Sequence, residues 1–140
     1  MIHRVLKIGR WVVDFLFSTG EYDIDGVLAC LYDAGAPQYI MEEAEDLMTR
    51  CEYDCGFTYT NASMFRYINS DSYRAVVLIG PTSSGDEFID TFVHEIHHLA
   101  VAIASELGVD LESETPAYLA GDSARALAKV VCRFGCDHCH

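Results

Sequence analysis

The stretch from Ser84 to Gly108 constrains this chain more than any other. Ser84 and Glu87 stand three apart in the form of a capping box. Ile89, Phe92, Val93, Ile96, Leu99, Ala100, Ile103 and Leu107 then recur at helical spacing until Gly108 closes the run. A helix gathers those residues into one stripe, and a stripe about six turns long must be covered by another surface. The segment just before it supplies one: Tyr73 to Gly80 is apolar and β-branched, a strand ended by Gly80-Pro81. The expected class is therefore α+β, a small twisted sheet packed on this helix and on a C-terminal one.

The rest of the chain adds elements to that nucleus. Residues 4–17, rich in Val, Leu, Ile, Trp and Phe, read as one long bent strand with Gly9 as a bulge. Ile24, Val27, Leu28 and Leu31 form a helical stripe behind Asp23, and Gly35 ends it. Pro37 opens a second helix with Ile40, Ala44, Leu47 and Met48 on its apolar side. Cys51 to Gly56 reads as a loop, Phe57 to Thr60 as a short strand, and Pro116 to Val131 as one last helix. The Tyr73–Gly80 strand reaches the long helix through only Pro81 to Ser84. It is expected at the sheet edge facing any site on that helix, where an extended peptide would add beside it. At 140 residues and 51% hydrophobic, the chain has material for one packed domain over 1–140 and too little for two.

Charge narrows the partners. Nine Lys and Arg face 22 Asp and Glu, a net −13. Such a surface repels phosphate backbones and anionic lipid, so neither nucleic acid nor a membrane is an expected partner. No apolar run approaches the roughly 20 residues that span a bilayer. Asp14 interrupts the apolar N-terminal stretch, and Ser18-Thr19-Gly20-Glu21 is not a small-residue cleavage site, so no export signal is read. A cytoplasmic, reducing setting is expected, with the six cysteines as thiols or metal ligands.

Inside the long helix lies His94-Glu95-Ile96-His97-His98, an H-E-x-x-H sequence. Four residues apart on a helix, His94 and His98 share a face about 6 Å apart along the axis, close enough for both imidazoles to bind one zinc. Glu95, on the adjacent ridge, can reach a water without binding metal itself. Two core histidines spaced this way by chance would bury imidazoles and a carboxylate at a cost that a metal removes. A catalytic zinc needs a third protein ligand. Glu114, just before Pro116, is the first choice, since a turn at Gly108 would bring the last helix back beside the first. Zinc would then tie those two helices together. Glu112 and Asp122 remain alternatives. Tyr118 falls one turn beyond Glu114 and could donate to an oxyanion. His97 is turned about 60° from His94 and about 100° from His98, and is not taken as a ligand.

His94-Glu95-x-x-His98 followed by Glu114-x-x-Ala117-Tyr118-Leu119-x-Gly121 resembles the gluzincin group of zinc metallopeptidases. More narrowly, it resembles the small single-domain metallopeptidases of phage, prophage and bacterial genomes. The ImmA/IrrE-like peptidases are similar in a helix-borne Glu shortly before an Ala-containing apolar stretch. The matching region is 84–122, under a third of the chain. The resemblance implies one zinc held by His94, His98 and Glu114, Glu95 as general base, and a protein or peptide substrate. Many gluzincins carry an acidic residue where Tyr118 stands here. A chain this short has no room for a substrate-binding subdomain, so a protein partner is expected to complete the cleft. The rival from another class is a zinc-stabilised, non-catalytic binding or regulatory domain.

Two further features stand outside that site. Cys132, Cys136, His138, Cys139 and His140 make a thiol and imidazole cluster without the usual zinc-finger spacing, a candidate second metal site that Cys51 and Cys55 could complete. No G-x-S-x-G occurs, so serine-hydrolase chemistry has no support.

Overall fold

The computed structural model describes residues 1–62 and 73–136. Four strands, β1 (Ile2–Ile8), β2 (Trp11–Phe17), β3 (Gly56–Asn61) and β4 (Tyr73–Ile79), form one mixed sheet in the order β1-β2-β4-β3. Helices α1 (Ile24–Asp33) and α2 (Gln38–Arg50) cover one face, and α3 (Gly85–Glu106), α4 (Thr115–Ala126) and α5 (Ala128–Gly135) the other. The class is α+β. Among the described residues no helix is long and apolar enough to cross a membrane.

Strand alternation decides which residues meet which layer. Val13, Phe15, Phe17, Val77 and Ile79 point to α3 and α5. Their neighbours Leu16, Val76 and Leu78 point to α1 and α2. With both faces covered, β2 and β4 are apolar almost throughout.

Three expectations are corrected. The N-terminal segment is a hairpin, not one bent strand. Ile8 pairs with Trp11 across a two-residue turn, and Gly9 takes φ +60°, the positive value that the first position of a II′ turn requires. The strand expected at the edge, β4, is central: it pairs in parallel with β2 and antiparallel with β3. The edge belongs to β3. Sequence proximity to α3 brings β4 beneath that helix without deciding which strands flank it. Finally, the last helix is two, bent at Leu127. Ser123 Oγ donates back to the Leu119 carbonyl at 2.8 Å, a contact that bends helices. The bend carries Phe134 onto the rings of Phe17 and Phe88.

Phe88 is the centre of that aromatic packing, 1% exposed and with ring centroids 5.7 Å from Phe92 and 5.4 Å from Phe134. Phe88→Ala should cost about 3–5 kcal/mol of unfolding free energy in urea titration. A loss below about 1 kcal/mol would mean that this cluster does not hold α3 and α5 to the sheet.

Candidate metal centre

The helix that carries the site forms as its sequence dictates. Ser84 Oγ accepts from the Glu87 backbone N–H at 3.1 Å, and Gly108 takes φ +74° after the last turn. Its buried side, Phe88, Phe92, Ile96, Leu99 and Ile103, lies on the sheet. This orientation leaves His94 and His98 exposed and turns Glu95, 4% exposed, toward β3.

His94 Nε2 and His98 Nε2 converge to 3.2 Å. Two nitrogens each about 2.0–2.1 Å from a tetrahedral zinc stand about 3.3 Å apart, so the pair already fits two corners of such a site. Ligand atoms of His94, Glu95 and His98 all lie within 4.8 Å of one another. The donors suit zinc: two imidazoles with a carboxylate beside them.

Glu95 is held from the sheet. Thr58 Oγ1 on β3 donates at 3.4 Å toward both the Glu95 backbone carbonyl and Oε1. Burial raises the Glu95 carboxyl above its ordinary value, against the lowering influence of His94, His98 and the Thr58 hydrogen bond. Gly56 makes room for it: a Cβ there would lie 2.6 Å from Glu95 Cγ and 3.0 Å from Oε2. Gly56→Ala should therefore cost about 1–3 kcal/mol by overpacking. Glu95→Ala removes the clashing atoms, so the double variant should recover most of that loss. Strict additivity in the unfolding energies would show that the two sites do not touch.

The histidines and Glu95 line an open cleft of about 650 Å³ between α3 and β3. Three exposed or half-buried acids that the sequence did not single out share it: Glu43 from α2, Asp54 from the loop before β3, and Asp90 from α3. Asp90 had a local signal, since it precedes His94 by four and continues the His94–His98 stripe. Glu43 and Asp54 had none, because the fold alone brings their segments here. Asp54 is already engaged by the Ser83 backbone N–H at 2.8 Å and hydroxyl at 2.7 Å. Its loop joins Cys51 to Cys55, which are paired with each other rather than separate thiols.

The other candidates stand elsewhere. Glu114 is the exposed residue just before α4, outside the His94–Glu95–His98 group and outside the cleft lining. Glu112 is exposed in the preceding loop, and Asp122 is paired with Arg125 at 2.6 Å. Tyr118, 66% exposed on α4, does not line the cleft. His97 lies on the other flank of α3, in an apolar groove with Val93, Ala100, Leu111, Pro116 and Ala117. The cluster in the tail falls partly on His138, Cys139 and His140, outside the described residues. No family model, curated protein or solved structure matches the chain.

Proposed function

We propose that the chain is a zinc-dependent metallopeptidase, with His94 and His98 as ligands, Glu95 as general base and a peptide as substrate. The observation that carries this reading is the 3.2 Å convergence of two imidazole nitrogens beside a buried, hydrogen-bonded carboxylate in an open cleft. Zinc in such a site supplies Lewis acidity, polarising a carbonyl and acidifying a water. Glu95 takes that water's proton at a carboxylate oxygen and hands it to the leaving amine. Thr58 holds Oε1, and the missing side chain at Gly56 leaves Oε2 approachable. The third ligand would come from a cleft acid on another element, Glu43 or Asp54, because Asp90, His94 and His98 span about 12 Å along one helix and cannot all meet one ion.

β3, rather than β4, is the edge strand beside the cleft. Its outer edge has no partner strand among the described residues, and it borders the cleft. An extended peptide pairing there would lie along Glu95. That neither Glu114 nor Tyr118 lines the cleft favours a second reading, a zinc-stabilised binding domain without turnover. Incubation of the zinc-loaded chain with a broad peptide library at neutral pH separates the two. Cleavage that a chelator stops and zinc restores supports the peptidase. Retained zinc with no cleavage supports the binding domain.

A further inference from the structure

We propose that His3, Asp14 and Cys30 form a second metal site, on the opposite sheet face from the cleft, that takes a borderline-soft divalent cation such as zinc or cobalt(II). The three come from β1, β2 and α1, and their ligand atoms lie within 4.8 Å of one another. His3 Nε2 is 2.7 Å from Asp14 Oδ1, and Arg74 donates to Oδ2 at 3.1 Å.

Asp14 is the reason to look here. It is 6% exposed in the middle of Trp-Val-Val-Asp-Phe-Leu-Phe, an otherwise apolar strand. Burying a carboxylate there is costly unless it is fully partnered. Arg74 answers one oxygen. The other meets His3 Nε2, and the Cys30 thiol stands within 4.8 Å of both, so an imidazole, a thiol and a carboxylate converge in a donor set that suits zinc. Access is open, because the His3 side chain is 42% exposed and Cys30 only half-buried. A thiolate nucleophile is the competing role for Cys30. Burial first, then Asp14 and Asp33, push its thiol up against the lowering influence of Arg74, which works against that role. A bound cation displaces the thiol proton to solvent and leaves a thiolate ligand. Arg74 keeps the carboxylate oriented from behind, as outer partners of metal-ligating carboxylates do.

Cobalt(II) titration of the reduced, metal-free chain, in a background carrying Cys51→Ser, Cys55→Ser, Cys132→Ser, Cys136→Ser and Cys139→Ser so that Cys30 is the one remaining thiol, tests this independently of peptidase activity. A thiolate-to-cobalt charge-transfer band should appear in the near ultraviolet, which a histidine and carboxylate site cannot give. The band should persist in the His94→Ala/His98→Ala variant and vanish in Cys30→Ser. His3→Ala should weaken the cobalt affinity that the band reports by about 10-fold or more. No band in the parent overturns the proposal, as does a band that survives Cys30→Ser. Should Cys30→Ser lose the far-ultraviolet dichroism of the parent, His3→Ala decides alone, and an unchanged affinity there overturns it.

Discussion

Glu95→Gln is expected to keep both the fold and the zinc while losing on the order of 10²-fold or more in peptidase rate. The substitution preserves size and shape, and the amide oxygen can still accept from Thr58. Burial already disfavours the charged carboxylate, so its removal should not lower the thermal midpoint. What disappears is a group able to take a proton from water and return it to an amine. Turnover at the parent rate by Glu95→Gln on the same substrate would remove Glu95 from the mechanism.

His98→Ala is expected to act at an earlier stage, on the metal. Loss of partners that merely orient ligands costs roughly 10–100-fold in metal affinity, and loss of one of two imidazoles should exceed that. His98 is exposed, so the metal-free variant should melt with the metal-free parent. Zinc at about 100 times its dissociation constant should stabilise the parent by about 2.7 kcal/mol and leave the variant nearly unmoved. Both chains carry Cys30→Ser, Cys132→Ser, Cys136→Ser and Cys139→Ser in this comparison, so that the response reports the cleft. Equal zinc stabilisation of the two would place the metal away from His98.

The legible parts of this fold are the local ones. α3 is written in Ser84, Glu87, the apolar stripe and Gly108, all within one helix, and the His94–Glu95–His98 geometry follows from helical spacing alone. β3 and β4 were likewise visible as strands. Strand order was not, because pairing is settled by distant segments: nothing near Tyr73 announces that Gly56–Asn61 will close the far side of β4. Gly9 shows a subtler ambiguity, since a bulge and a two-residue turn both call for glycine, and the choice rests on whether the arms pair. Leu127 continues an unbroken helical pattern, and the bend there accompanies the Ser123 hydroxyl's bond back to the Leu119 carbonyl, which the pattern does not announce. The cleft acids divide along the same line. Asp90 is one turn from His94 and could have been read, whereas Glu43, Asp54 and the room that Gly56 gives Glu95 exist only after the chain has folded.

Glu114 marks the limit of reasoning by spacing. The turn at Gly108 does bring α4 beside α3, as expected. It docks on the Val93, His97 and Ala100 side, the flank away from β3. A one-third turn of helix thus separates a plausible ligand spacing from a shared site.

Diffraction from zinc-loaded crystals at the zinc absorption edge would locate the metal. An anomalous peak is expected within bonding distance, about 2.0–2.1 Å, of Nε2 of both His94 and His98, with Glu95 beside it and not bound. A zinc-loaded crystal with no peak between those two nitrogens would contradict their role as zinc ligands.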